Sequence, residues 1–504
     1  MPETSPQVRK PPSATTSPLA GAVRVAAMRR AASSLAFLVA TGVPAAAWAH
    51  ASDKGFVLLL PTGYYIAGGT LAVAASFLLV ALLPHAAVRR AAAWHLDLCA
   101  MPRIATTWTS AAAFLAASLL LITGWFGSRD PLENPLPLVV WTLWWGGITI
   151  AHALFGNLWS AINPWIAPCR LVRRAWMGRA ETEPPLLAYP PWLGYGPAIL
   201  GFFAFAWFEL IDPAPDDPAR LALAVVIYSG VTLAGMLLFG ERIWLARAEC
   251  FSVFFGFVAL IAPFSVNQPD PAQPARRRLC LTFPGARLAG HEALPIGGML
   301  FVLLTLATVS FDGLNKTFWW LRLGEINPLE YPGRTGVMGR NSLGLLAMWV
   351  ALVLAYSLVN ALGRWIARDP ARLSAFLGTF VLSILPISIG YHFAHYLTSL
   401  LVNGQYAVLA ISDPFELGWD LLGLGHAEAS VSFLSDYQSV SILWKLQVAA
   451  VVLVHILAVM TAHAMAVGRH AKLRAATASQ LPLAAFMICY TLFGLWLLAV
   501  PAIG

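Results

Sequence analysis

Charge is what this chain has least of. Only 11% of its 504 residues are Asp, Glu, Lys or Arg, where soluble domains carry roughly 25%. That shortage excludes an ordinary soluble enzyme, a disordered tail protein and a nucleic-acid binder with a solvated basic face. Cysteine is scarce too. Cys99, Cys169, Cys250, Cys280 and Cys489 are an odd, scattered set with no Cys-x-x-Cys pair, so neither a disulfide framework nor a zinc ribbon is indicated. Several catalytic signatures are missing. There is no phosphate-binding Gly-x-x-x-x-Gly-Lys-Ser/Thr loop, no Gly-x-Ser-x-Gly elbow, no His-Glu-x-x-His helix and no Cys-x-x-Cys-His haem attachment, which removes ATP-driven, serine-hydrolase, zincin and c-type haem chemistry. Apolar residues fill the space left, at 59% with a mean hydropathy of +0.70. A chain this long and apolar is an all-α, polytopic membrane protein embedded in a lipid bilayer. Its net charge of +8 sits in short loops, which sets orientation and does not call for a nucleic-acid partner.

Residues 1–30 are polar and basic, ending in Arg29-Arg30, and an apolar run from Ala31 to Ala47 follows. Ala47-Trp48-Ala49 is a small-x-small cleavage signature, so 1–49 is read as a basic tail and cleaved signal peptide. The alternative is a first transmembrane helix, for which about 17 residues is near the lower limit. Cleavage after Ala49 would start the mature chain at His50, whose amine and imidazole together suit copper or zinc. The plainer reading is that His50 is merely where the cut falls.

Residues 50–504 then form one helical transmembrane domain. Ten apolar stretches have spanning length, near 62–84, 105–127, 136–157, 193–213, 220–240, 295–313, 341–363, 374–403, 441–467 and 481–501. Basic clusters follow alternate spans: Arg89-Arg90, Arg170 to Arg179, Arg276-Arg277-Arg278, Arg364 to Arg372, and Arg469 to Arg474. Placing all of them inside requires the short run 250–266 to dip in and return, or to lie along the interface, and not to cross. The chain would then sit in a bacterial inner membrane with the mature N-terminus and the C-terminus both extracytoplasmic. Segments 314–340 and 404–440 would also lie outside, the second too long to be a passive turn.

Ionisable residues within spans are costly and therefore functional candidates. Here they are mostly histidine: His152, the pair His392 and His395, then His455 and His463, with Asp312 near the outer end of its span. His392 and His395 are three apart and occupy neighbouring positions on one helix face. His455 and His463 are eight apart, about 12 Å along the axis, too far to share one ion. The depths suggest His392, His395 and His455 as metal ligands, with Asp312 as a carboxylate partner or general base, and His50 and His463 as further ligands. Three imidazoles and an open position describe a catalytic zinc-type site. The plainer reading makes each histidine a hydrogen-bonding link between helices. Two polar breaks have similarly plain readings. Gly156-Asn157-Leu158-Trp159 with Asn163-Pro164-Trp165 reads as helix termination with aromatic anchoring, and Glu241-Arg242 with Arg247 and Glu249 reads as a charge network holding the dip.

Taken in order, these motifs resemble a bacterial membrane family known as fenitrothion hydrolase. The features that carry the resemblance are a signal ending at Ala49-His50, Gly156-Asn157-Leu158-Trp159 with Asn163-Pro164-Trp165, Gly240-Glu241-Arg242, Phe311-Asp312-Gly313, Ala394-His395-Tyr396, and His455 with His463. They span most of the chain after Ala49, and His392 stands outside them. The resemblance implies hydrolysis of an organophosphate triester at its phosphorus–aryloxide bond.

Two functions from different classes follow. One is an integral-membrane, metal-dependent hydrolase of organophosphate triesters. Its divalent zinc or copper would activate water at a histidine-rich site that opens outward. The other is a copper-type transport or acquisition protein, with the histidines spread through the membrane as a relay. A b-type haem held by His395 and His455, or a structural subunit of a larger membrane complex, are lesser alternatives.

Overall fold

The computed structural model describes residues 62–500 apart from 103–104, 176, 179–182, 267–276, 328–329 and 426. The signal-peptide reading of 1–49 and the metal reading of His50 fall outside these residues. Ten helices among the described residues are long and apolar enough to cross a membrane. They are α1 (Thr62–Ala81), α3 (Thr106–Phe126), α4 (Pro135–Phe155), α7 (Pro191–Leu210), α8 (Pro218–Phe239), α12 (Ile296–Asn315), α14 (Gly333–Ala367), α15 (Leu373–Ser412), α16 (Tyr437–Arg469) and α17 (Leu473–Ala499). The chain is thus an all-α, multi-pass membrane protein, matching the hydropathy reading span for span. Helices α12 and α15 are buried nearly all round and form the centre, with the other spans presenting apolar faces outward.

The helices overrun the apolar stretches. Helix α14 begins at Gly333, inside the expected loop 314–340, and α15 runs on to Ser412, inside the expected loop 404–440. A helix already nucleated in the membrane extends past the hydrocarbon at little cost, because each added residue gains a backbone hydrogen bond. What stops and starts these helices is local chemistry. Asp436 caps α16 by accepting from the Ser439 N–H at 2.8 Å. Gly156 and Gly240 end α4 and α8 with φ of 87° and 89°, a region glycine enters without steric penalty. That explains the glycine opening each polar break.

Between the spans lies an element that the hydropathy pattern did not suggest. Strands β1 (His95–Met101), β2 (Phe264–Val266) and β3 (Arg277–Thr282) form an antiparallel sheet in the order β1-β3-β2. The Cys280 thiol and the Arg278 guanidinium, hydrogen-bonded to Asp97 at 3.0 and 2.8 Å, hold its carboxyl below the usual range. These contacts cross-link β1 to β3.

The sheet decides how the short apolar run sits. Strand β1 follows the first span and Gly240 ends the fifth, so four crossings separate them and both lie on one face. Because β2 joins β1 through β3, β2 lies on that same face. The chain between Gly240 and Phe264 therefore enters the protein and returns. It does so as two helices, α9 (Glu241–Arg247) and α10 (Cys250–Ile261), bent by 65°. The turn is held by Glu249, only 2% exposed. Its Oε1 accepts from the Phe251 N–H (2.7 Å) and the Tyr228 hydroxyl (2.6 Å), and its Oε2 from the Ser252 N–H (2.7 Å). A carboxylate at the N-cap of a helix satisfies first-turn donors that have no partner within the helix. Phe251, Phe254 and Phe255 then pack α10 against Trp144, Trp145 and Phe202. The molecule thus has a sheet face and, opposite it, a loop face that carries the segment between α15 and α16.

Replacing Glu249 by Ala leaves three buried donors without an acceptor, a cost on the order of 3 kcal/mol. The E249A protein is expected to melt at a lower temperature in detergent and to be cut by protease near residues 247–250. An unchanged melting temperature and cleavage pattern would show that the hairpin does not depend on this cap.

Candidate functional site

The buried ionisable groups gather where α12, α15, α7 and α4 meet, toward the loop face. Asp312 stands one turn before the end of α12 and its side chain is 5% exposed. Its Oδ2 lies 2.5 Å from His395 Nε2, and its Oδ1 lies 3.4 Å from Lys316 Nζ, four residues on. With Asp312 as acceptor, His395 carries its proton on Nε2 and leaves the Nδ1 lone pair outward. The His395 side chain is 31% exposed, so this imidazole is oriented by a buried carboxylate yet open at its other edge.

Beside that pair is a second group. The Tyr396 hydroxyl donates to Glu209 Oε1 and accepts from the Trp145 indole N–H at 2.8 Å. His392 Nε2 donates to the Trp145 carbonyl at 2.9 Å, and its ring meets Trp145 edge-on at 4.8 Å and Tyr396 at a tilt at 4.5 Å. Trp145 belongs to a stretch of wide π-helical turns, Leu138–Ile148, within α4. Such turns are rare and recur at functional sites. Glu209, Asp312, His392, Tyr396, Thr305 and Ser388 surround an internal cavity of about 20 Å³. That is room for one water and no more.

The expected three-imidazole set is not assembled. Among the described residues no three His, Cys, Asp or Glu side chains stand where one metal ion could bind them. The reason is angular. Three residues along α15 turn His392 toward Trp145 on α4 and His395 toward Asp312 on α12. His455 approaches α15 from a third direction, its ring against Tyr391 at 5.9 Å, and Tyr391 lies about 100° round the helix from His392. His455 Nδ1 bonds the Val451 carbonyl (2.7 Å) within α16 and its Nε2 is buried without a partner. His463 lies nearer the sheet face, where Gln480 Nε2 is 3.3 Å from its Nδ1, and its Nε2 is likewise unpartnered. His152 is structural: Nδ1 donates to the Ile148 carbonyl (2.7 Å) and Nε2 accepts the Trp159 N–H (2.8 Å), closing the turn after α4.

Sequence reasoning passed over Glu209, Trp145 and Lys316, and named Tyr396 only as the neighbour of His395. Glu209 carried a usable signal, since a carboxylate in the run Phe-Ala-Trp-Phe-Glu-Leu is itself an ionisable group within a span. It sits at the last turn of α7, where it reads as a boundary. Comparison with protein-family models, curated proteins and solved structures finds no match to this chain.

The geometry ranks the five intramembrane histidines by reactivity. Acylation with diethyl pyrocarbonate, mapped by peptide mass spectrometry, is expected to modify His395 while His152, His392, His455 and His463 stay protected in folded protein. Equal labelling of all five would contradict the burial described here.

Proposed function

We propose that the His395–Asp312 pair is the acid–base centre of an integral-membrane hydrolase acting on apolar phosphate triesters that partition into lipid. The observation supporting this reading is the 2.5 Å contact between a buried carboxylate and a partly exposed imidazole. Asp312 fixes the tautomer, so Nδ1 accepts a proton from a water molecule as that water's oxygen attacks phosphorus. The phosphorus–aryloxide bond breaks, the aryloxide leaves with the bonding pair, and the proton held on Nδ1 neutralises it. Triester and water become a phosphate diester and a phenol. Lys316, beside the same carboxylate, offers positive charge for the phosphoryl oxygen as charge builds on it. The internal cavity is far too small for a triester, so the substrate would approach along the exposed edge of His395. A zinc or copper ion, expected from the sequence, has no three-ligand set among the described residues.

We further propose that the sheet face is cytoplasmic in a bacterial inner membrane. Arg89, Arg90, Arg170, Arg173, Arg174, Arg364, Arg469 and Arg474 lie at that face, as the positive-inside rule requires. The reactive edge of His395 would then open toward the extracytoplasmic leaflet, with both mature termini outside. The copper-type transport reading keeps one supporting observation, the unpartnered Nε2 atoms of His455 and His463. Bound copper or zinc that is lost from His463→Ala but retained in His395→Ala would favour it.

The decisive assay is turnover of a chromogenic aryl dialkyl phosphate by detergent-purified protein. His395→Ala and Asp312→Asn are expected to lower kcat/KM by about 100-fold or more with the melting temperature of D312N close to wild type. Absent turnover in well-folded wild-type protein would end the hydrolase reading.

A further inference from the structure

A second, larger cavity opens on the sheet face, at about 530 Å³ within the range of small-molecule sites. It lies between the return turn after α4, helix α6 (Ile166–Ala175) and the re-entrant hairpin. Its walls unite the two polar breaks that sequence analysis gave only structural roles. Asn157, Trp159 and Asn163 come from one, Glu241 and Arg242 from the other.

The polar groups here are unbalanced toward donors. Glu241 is already occupied, since Arg170 Nε and Nη2 donate to its two oxygens at 3.0 and 2.9 Å. Arg242 has no polar partner among the described residues. Asn157 spends its Oδ1 on the Ser160 N–H (3.0 Å), which leaves its Nδ2 donor unused. The indole N–H of Trp159, a residue only 6% exposed, is buried with no acceptor. Ser252 accepts from Asn163 Nδ2 at 3.3 Å, keeping its own hydroxyl proton to give. A guanidinium, an amide, an indole and a hydroxyl facing one space call for an anionic ligand rich in oxygen acceptors, and phosphate is the closest chemical fit. Much of the remaining lining is apolar or aromatic: Tyr195, Leu245, Phe257 and Leu260. Room is kept by Gly256, where an added Cβ would meet only Asn157 Nδ2, at 3.9 Å.

We propose that this cavity binds the phosphate headgroup of an anionic phospholipid from the leaflet on the sheet face. Arg242 and Asn157 hold the phosphodiester oxygens, and the first methylenes of an acyl chain lie along Tyr195 and Phe257. Basic pockets at the cytoplasmic ends of helices are suited to such headgroups. The apolar lining distinguishes a lipid from free phosphate, which would leave that surface wet. A bound lipid would also brace α10, whose other side packs against Trp144 and Trp145 beside the candidate site.

The test uses the full chain in detergent, titrated with phosphatidylglycerol, phosphatidylcholine or inorganic phosphate and read by native mass spectrometry and thermal melting. One phosphatidylglycerol per chain is expected to survive delipidation and to raise the melting temperature more than phosphatidylcholine does. Arg242→Gln should weaken retention about fivefold, the effect of losing one basic contact at a membrane surface. Gly256→Leu, whose Cβ meets only the Asn157 side-chain nitrogen at 3.9 Å, should abolish retention while the lipid-free melting temperature stays near wild type. Wild-type retention in both variants would overturn the proposal. Stabilisation by inorganic phosphate equal to that by phosphatidylglycerol would overturn the lipid assignment in favour of a soluble phosphate compound.

Discussion

Water is missing from the middle of a bilayer, and the arrangement of this protein follows from how its few buried polar groups manage without it. Most found a partner inside the chain, while the Nε2 atoms of His455 and His463 are buried without one. Glu249 spends both oxygens on the turn that lets α10 enter and leave the same face. His152 spends both ring nitrogens on closing the chain after α4. Tyr396 ties Glu209 to Trp145. The Asp312–His395 pair differs because one of its edges remains available, which is what separates a reactive group from a structural one.

The re-entrant hairpin connects the two ends of the molecule. Its apex is built around Glu249 and Tyr228, and its aromatic face packs against the π-helical stretch that carries Trp145. Trp145 in turn supports His392 and Tyr396 beside Asp312. On its other side the hairpin supplies Ser252 and Gly256 to the sheet-face cavity. Close-packed side chains transmit displacement poorly into empty space and well into their neighbours. The hairpin thus touches both the sheet-face cavity and the aromatic wall beside Asp312 and His395.

Much of the fold was legible because its signals are local. Spanning length, basic clusters after alternate spans and the glycines at 156 and 240 each depend on residues close in sequence. The dip of 250–266 was legible for the same reason, from the charge of Arg276 to Arg278. The sheet was not, since β1 and β3 are short strands whose pairing joins residues as far apart as Asp97 and Arg278. The loop boundaries were misjudged because hydropathy marks where hydrocarbon ends, whereas caps such as Asp436 mark where helices end.

The sequence by itself determined that this is a multi-pass membrane protein, with the ten spans found among the described residues, and that Asp312 and His395 merit attention. Hydropathy and spacing suffice for that, because burial in lipid is a one-dimensional cost summed along the chain. Tertiary structure alone decided which of those residues meet. His392, His395 and His455 instead meet three different neighbours, Trp145, Asp312 and Tyr391. The same packing brought Asn157 and Arg242, 85 positions apart in the chain, to one cavity. Side-chain direction is set by how helices pack against one another, and no pattern along a single helix records its neighbour's rotation.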